Sequence, residues 1–467
     1  MSIQDKDIHH HSPSYLIRKR FFSHKPAVFG LYVIILAHIV AALGYLIMPD
    51  DSPNASSGGD VSMKRLFPMH KATLLKKNSG RDEGKVNIFR KMLSGQPSNF
   101  KEILAIDFYE LKEDSLLYKL YPNPILHNSK DTSRNSFSDT ARIFLLEQIK
   151  ATYQGINAID TFKYALKQNA DLQGDTIIYT YAVASLKKGI VHPDTLIYRK
   201  IGEKHYYRGD TLVYLDNDNK VQLTTIPRLA KELNTKNIEE FTFYLGTDQR
   251  GKDILSRIIL GTRISLSIGF VAVLISLIFG VALGAVAGYY KGMMDSIILW
   301  LMTVVWSVPS IMLVIAISLV LNSKGIWVVF VSIGLTTWVD IARVVRGEVM
   351  SIKQKMYIES ARAFGLSNYA IIYRHILPNL LGSIIVISSS NFASAILVEA
   401  GLSFLGIGVD LSVPSWGNML KEGFNELSPT NWHMVAIPSF CIIMLVLAFN
   451  LLGNGLRDAY DPKQNMS

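Results

Sequence analysis

Six stretches of the chain contain no Asp, Glu, Lys or Arg: 27–48, 264–290, 296–323, 325–339, 375–398 and 427–456. A helix needs about 20 apolar residues to cross the hydrocarbon core of a bilayer. Five stretches reach that length and the sixth stops just short, before Asp340. The chain therefore reads as an α-helical membrane protein with six transmembrane helices. The first stretch follows Arg18, Lys19 and Arg20, as a secretory signal would. Its 22 uncharged residues exceed the roughly 7–15 of a signal's apolar region, and no clean small-residue cleavage site follows. A retained helix over 27–48 is the better reading.

The net charge is +10, from 48 basic and 38 acidic residues. Such an excess invites a nucleic-acid reading, but its placement argues for topology. Basic residues flank the apolar runs at Arg18–Arg20 with Lys25, at Lys291, at Arg343 with Arg346, and at Arg457. These are alternate ends of successive helices, as the positive-inside rule requires. Residues 1–26, the loop at 291, the segment 343–378 and the C-terminus are then cytoplasmic, and 49–263, 322–325 and 400–433 lie outside. The expected location is a cell inner membrane, crossed several times. Cys441 is the one cysteine, which excludes an intrachain disulfide framework.

Residues 51–245 interleave acidic and basic residues too densely to sit in lipid, and are no one-sign tail. Thr176–Val183, Thr195–Tyr198 and Thr211–Tyr214 alternate or cluster as strands do. Arg208-Gly209-Asp210 reads as the turn of a hairpin. Helical spacing recurs around Phe144–Ala151 and Phe162–Leu166, and the Ser/Gly/Asp-rich stretch 51–63 reads as a linker. The expectation is an inserted α+β domain outside the membrane. His9, His10 and His11 in a polar N-terminus are taken as a run without function, so no metal site is expected.

Mechanism is most legible between Glu348 and Pro378. Glu359, Ser360, Ala361, Arg362, Ala363, Phe364 and Gly365 are followed, after nine intervening residues, by His375, Ile376, Leu377 and Pro378. Ala361, Phe364 and Leu366 fall on one side of a helical pattern, with Glu359 and Arg362 spaced i, i+3. Gly365 interrupts the helix where a turn needs positive φ or a close backbone approach. Pro378 suits the first turn of the next membrane helix, where its missing N–H costs nothing. The pattern describes a two-part helix under the bilayer, stiffly joined to a spanning helix. An ordinary amphipathic connection is the plainer alternative.

Two further stretches are distinctive. Leu245-Gly246-Thr247-Asp248 leads through Gly251-Lys252-Asp253 to Gly261-Thr262-Arg263. There Ile254, Leu255, Ile258 and Ile259 form an apolar face, and Asp253 and Arg257 are spaced to pair, as on an interfacial helix. Glu399 to Gly408, then Pro414-Ser415-Trp416-Gly417, reads as an irregular, partly re-entrant segment at a cavity mouth.

The 359–378 stretch resembles the EAA loop of ABC importer permeases, with Ser360 in place of Ala and His375 in place of Ile. The stretches around 245–266 and 399–417 resemble the C-type permeases of dipeptide, oligopeptide and nickel importers, with Lys252 where Arg is commoner. The resemblance is weak over 27–48, close over 245–460, and absent over 51–245. It implies the type I importer permease fold with a core over 246–460. It also implies an ATPase-docking role for Glu359, Ser360, Ala361, Gly365, Leu377 and Pro378. The implied partners are a second permease, two ATPase subunits and an extracytoplasmic binding protein. No Gly-x-x-x-x-Gly-Lys-Ser/Thr cradle occurs, so ATP and magnesium belong to a separate chain and no catalytic residue is expected here.

Other residues carry two readings. Gly280, Gly284 and Gly288 suit close helix packing, or the general abundance of glycine in membrane helices. Pro309 kinks the third span and so can shape a pathway. Asp340 and Glu399 are expected at helix ends. Ser388, Ser389, Ser390 and Asn391 form a polar face that lines a solute path or bonds neighbouring helices. The function expected is a permease subunit for peptides. Nickel or another small solute, a secondary transporter or channel, and a membrane-anchored sensor using 51–245 are the rivals. Midplane ionisable residues or inverted repeats would favour a transporter, and a sensor leaves the 359–378 motif unexplained.

Overall fold

The computed structural model describes residues 13–55, 63–78, 84–98, 100–112, 115–120, 140–144, 170–173, 176–182, 193–198, 205–208, 211–215, 221–225, 227–228, 231, 233–321 and 325–460. Two compact units emerge: Met1–Gly44 with Arg257–Ser467, and Tyr45–Ser256. In chain order the helices are α1 (Pro13–Ser23), α2 (Lys25–Ile47), α3 (Ile88–Ser94), α4 (Ile254–Tyr290), α5 (Gly292–Ser307) and α6 (Ser310–Val320). They continue with α7 (Ile326–Ile352), α8 (Met356–Ala363), α9 (Asn368–Ala370), α10 (Leu377–Leu405), α11 (Trp416–Asn425) and α12 (His433–Tyr460).

Among the described residues five helical runs are long and apolar enough to cross a membrane: α2, α4, α7, the run from α9 through α10, and α12. The third expected span is instead a broken pair, α5 and α6, bent by 96°. Proline disfavours the helical region for the residue before it, and Val308 is extended at ψ 132° with Pro309 at ψ 128°. Pro309 breaks this span rather than kinking it.

Three other expectations are corrected. The interfacial helix is no separate element, because 254–263 run straight into the 37-residue α4 with no breaker between them. The 399–405 stretch is the last part of α10, which ends at Gly406 with φ 83°; only 406–415 is irregular. Asp340 lies inside α7 and Glu399 inside α10, so neither marks a helix end.

Lipid tails are as apolar as the side chains, so membrane helices associate by close packing and polar contacts. Gly280, Gly284 and Gly288 supply that closeness between α4 and α7. A Cβ on them would meet Ile341 at 2.7 Å, the Ala342 carbonyl at 2.6 Å and the Arg346 carbonyl at 2.7 Å. Gly334 of α7 receives Ile275 in return. Ser276 Oγ donates to the Gly334 carbonyl at 3.0 Å and lies 2.6 Å from Thr337 Oγ1. At the other edge Gly30 of α2 meets the Ala448 carbonyl, and Gly455 of α12 meets Ala27. Phe392 of α10 stacks on Phe449 of α12 at 4.1 Å.

In the unit Tyr45–Ser256 a five-stranded antiparallel sheet runs in the order β11-β1-β2-β3-β4. Its strands are β1 (His70–Asn78), β2 (Phe100–Lys112), β3 (Ser115–Leu120), β4 (Thr140–Phe144) and β11 (Ile238–Phe243). Two three-stranded sheets follow the orders β5-β6-β7 and β10-β9-β8. They comprise β5 (Ala170–Gln173), β6 (Thr176–Ala182), β7 (Pro193–Tyr198), β8 (His205–Arg208), β9 (Thr211–Leu215) and β10 (Val221–Thr225). The strands expected at 176–183, 195–198 and 211–214 are β6, β7 and β9. Arg208 faces Thr211, so two residues join β8 to β9 as a hairpin. Phe144 ends a strand instead of opening a helix. Residues 145–151, 162–166, 209–210, 9–11 and 56–62 lie outside the described residues. Met63, Leu66, Ala72, Leu74, Ala105 and Phe243 form this unit's apolar core.

The glycine contact is directly testable. Gly284→Ala drives a methyl into the α7 backbone, and overpacking of this kind costs about 1–3 kcal/mol. Gly347→Ala meets nothing within 4 Å and gains helix propensity worth up to about 1 kcal/mol. Thermal unfolding in detergent should show the first variant melting below wild type and the second at or above it.

Candidate functional site

Beyond α7 the chain forms a segment with one face buried and the other bare. α8 turns Ile358 and Ala361 inward, onto Tyr289 of α4, Val349 and Ile352 of α7, and Ile371, Ile376 and Leu380. Glu359, Ser360, Arg362 and Gly365 stay exposed, as does Pro378, while Leu377 is half-buried. Gly365 adopts φ 79°. Its N–H donates to the Arg362 carbonyl at 2.9 Å, and Leu366 N–H donates to the Ala361 carbonyl at 3.2 Å. That pair of bonds is the Schellman closure of a helix, which needs a left-handed residue at this position.

Ser367 restarts the helix by accepting the Ala370 N–H at 3.3 Å. A π-helical turn over Ile371–Ile376 then carries α9 into α10. Leu377 N–H bonds the Ile372 carbonyl five residues back, a wider turn than α, and Pro378 follows with no N–H to satisfy. The substituted Ser360 returns its hydroxyl to the Met356 carbonyl at 3.0 Å, so it leaves no unpaired donor where alanine is usual.

Tyr289 ties this segment to α4. Its hydroxyl donates to Asn368 Oδ1 at 2.7 Å, its carbonyl accepts from Lys353 Nζ, and Arg362 lies 5.9 Å from its ring centroid, within cation–π range. Burial, then the charges of Arg362 and Lys291, hold the Lys353 ammonium below the ordinary lysine pKa.

Ser388, Ser389, Ser390 and Asn391 do not act as one face. Ser388 and Ser389 return their hydroxyls to the Ile384 and Ile385 carbonyls of their own helix, and Asn391 Nδ2 reaches the Thr337 carbonyl of α7 at 3.4 Å. Ser390 alone of the four lines a cleft of about 540 Å³ between α7, α10 and α12, together with Glu348, Ser383, Asn450, Asn454 and Arg457. Pro309 is absent from this lining and stands at the α5–α6 break.

A second polar group, at the opposite ends of α4 and α10, was not legible as a set in the sequence. Arg257 is 2% exposed and donates from Nη1 to Glu422 Oε2 of α11 at 2.6 Å. Asp253 instead accepts from Ser256 N and Oγ at 2.8 and 2.6 Å, at the first turn of α4. Glu399 is fully buried and accepts from Ser403 at 2.8 Å, Ser265 at 3.5 Å and Ser415. Asn418 Nδ2 gathers the carbonyls of Val409, Asp410 and Val413, and Trp416 Nε1 donates to the Ile258 carbonyl at 3.1 Å. The signal was charge on apolar helices. Partners 165 residues apart are beyond any local pattern.

Residues 280–466 match the family described as the binding-protein-dependent transport system inner membrane component, and 12–60 match the N-terminal TM domain of oligopeptide transport permease C. A glutathione transport system permease protein of Pectobacterium atrosepticum is 44% identical over 220 residues, covering 47% of this chain and 72% of that relative. The chain belongs to this permease family. A dipeptide transport system permease protein of Bacillus subtilis is 40% identical, over 47% of this chain and 68% of that protein. One chain of a solved inward-facing methionine ABC transporter is 16% identical, with 43% of this permease and 95% of that chain covered at a TM-score of 0.37.

The closure at Gly365 makes a prediction. Nothing lies within 4 Å of an added Cβ there, so any cost of Gly365→Ala comes from the left-handed backbone, about 1–2 kcal/mol. Tyr289→Phe, which removes the bond to Asn368, should cost about 1 kcal/mol. Ser360→Ala should leave the melting temperature of the purified permease unchanged.

Proposed function

We propose that this permease imports short peptides, working with a second permease, two ATPase subunits that bind ATP and magnesium, and an extracytoplasmic binding protein. The observation that carries the coupling role is the segment from α8 to α10. Its inner face is locked to α4 and α7. Its outer face exposes Glu359 and the large side chains of Phe364, Tyr369 and Tyr373, which are 85%, 75% and 62% exposed. Large bare apolar side chains on a segment that also exposes charge are what a protein partner covers. Glu359, Ser360, Gly365 and Pro378, which are exposed, are assigned to this ATPase contact, while Ala361 and Leu377 pack inward and hold the segment to the helices that ATP-driven closure tilts.

The solute path is assigned to the cleft holding Ser390, Asn450 and Asn454, which are exposed on membrane helices. Polar side chains at such positions face water or a partner rather than lipid. On this reading Ser388, Ser389 and Asn391 hold helices together, and the break at Pro309 shapes the neighbouring wall. Peptide is favoured as the solute by the relatives named for glutathione and dipeptide transport.

The orientation follows the basic flanks, with both termini and 343–378 cytoplasmic and 51–245 an extracytoplasmic α+β domain. Uptake of labelled dipeptide tests the assignment. Glu359→Lys should lower uptake at least about tenfold, the loss of roughly 1.4 kcal/mol of coupling, while membrane levels stay at wild type. Normal uptake in that variant would sink the coupling role, and nickel uptake without peptide uptake would replace the solute. Cysteines introduced at Asn217 and Ser351 should differ towards an impermeant label, with only the first reacting in cells whose outer barrier is opened.

A further inference from the structure

α1 and the spanning helix α2 are joined by a single residue, His24. His24 starts α2 by accepting the Ala27 N–H on Nδ1 at 3.2 Å, and its Nε2 lies 3.6 Å from Asp458 Oδ2 of α12. Residues four apart on a helix share a face. Ile17 and Phe21 use theirs to join one apolar cluster with Leu452, Leu456 and Ala459. Those three lie in the last turns of α12, where its uncharged run ends at Leu456, just before Arg457. A helix docked there lies at the edge of the bilayer's apolar layer.

The other face of α1 carries Tyr15, Arg18, Lys19 and Phe22, spaced i, i+3, i+4 and i+7 and so stacked one above the other. All four are exposed, Tyr15 at 48% and Phe22 at 52%. Arg18 lies 5.8 Å from the centroid of the Phe22 ring. Among the described residues neither Arg18 nor Lys19 pairs with a carboxylate, and no Asp or Glu occurs between residues 8 and 49. Arg20 and Lys25 add to the same cationic stretch, Lys25 also exposed. Aromatic rings at a membrane boundary settle at headgroup level. Lysine and arginine stems lie over apolar surface while their charged ends reach outward, and basic clusters beside a span attract anionic lipid.

We propose that the outer face of α1 binds the headgroups of anionic phospholipids, with Tyr15 and Phe22 set among the lipids and Arg18 and Lys19 on their phosphates. The partner is the membrane surface itself, not the transported solute, and the inference needs only α2 and α12 as spans. α12 also lines the cleft through Asn450, Asn454 and Arg457, so lipid held on α1 braces one wall of that cleft.

The test is thermal unfolding of the full chain in detergent, titrated with phosphatidylglycerol or with phosphatidylcholine. A lipid that binds the folded state raises the melting temperature as it saturates. Apparent affinity for phosphatidylglycerol should exceed that for phosphatidylcholine at least about tenfold, and the excess should shrink as salt is added. Arg18→Gln and Lys19→Gln should each remove roughly fivefold of that preference. Phe22→Ala should weaken both lipids alike and leave their ratio in place. Lys291→Gln removes a cation from another membrane flank and should also leave the ratio unchanged. The ratio is read within each variant, so a change in lipid-free stability does not hide it. Equal affinity for the two lipids, or an undiminished ratio in the Arg18→Gln Lys19→Gln double variant, would overturn the site. So would an equal loss in Lys291→Gln, which would make the preference a matter of total charge. A matching rise with soluble glycerol 3-phosphate would overturn it too, because the face would then take a free phosphate and not a lipid surface.

Discussion

The backbone contact between α4 and α7 positions much of the membrane unit. Three glycines of α4 lie against the chain of α7, with 2.6–2.7 Å where a Cβ would go. Side chains larger than hydrogen would separate the helices, and lipid supplies no hydrophobic force to bring them back. Tyr289 follows Gly288 directly, so this contact also sets where its ring and hydroxyl arrive. Asn368, Arg362 and Lys353 then gather around that residue. The exposed face of α8 is therefore held at a defined distance from α4 by the contacts of its inner face.

Polar groups in this unit divide by whether their partners are inside the chain. Arg257 with Glu422, and Glu399 with its serines, are buried and bonded to distant helices. Removing one member of such a pair strands a charge in a medium that cannot solvate it. Ser390, Asn450 and Asn454 are exposed instead, around a cleft. The first group holds α4, α10 and α11 together, and the second leaves polar surface for whatever fills the cleft.

In the unit Tyr45–Ser256, β1 pairs with β11 as well as with β2, His70 lying opposite Phe243. The strand that follows α2 is thus a neighbour of the strand that precedes α4. Asp50 N–H also donates to Ser256 Oγ at 2.9 Å. A long stretch of chain can be inserted here because its first and last strands close on each other. Thr247 tightens that closure, with its hydroxyl donating to the Met63 carbonyl and accepting from Leu66 N.

Five of the six expected spans, the turn at Gly365 and the strands β6, β7 and β9 were legible because each rests on local chemistry. Apolar length, a residue without Cβ and β-branched clustering all act within a few residues. The Gly280–Gly288 spacing announced a close contact but not its partner. The break at Pro309 was read as a kink, because proline marks the interruption while the packing of α5 and α6 sets its angle. Glu399 was misplaced at a helix end, since the glycines that follow it at 401, 406 and 408 resemble a loop, whereas α10 runs on to Leu405 with Glu399 buried against Ser265 and Ser403. The four-residue polar run at 388–391 looked like one surface, yet its members diverge by about 100° per residue along a helix. Sequence by itself determined which segments are long and apolar enough to cross a membrane and where the turn at Gly365 falls. Tertiary structure alone decided which polar side chains are buried in pairs and which are left facing a cleft, because those partners are brought together only by helix packing across many residues of chain.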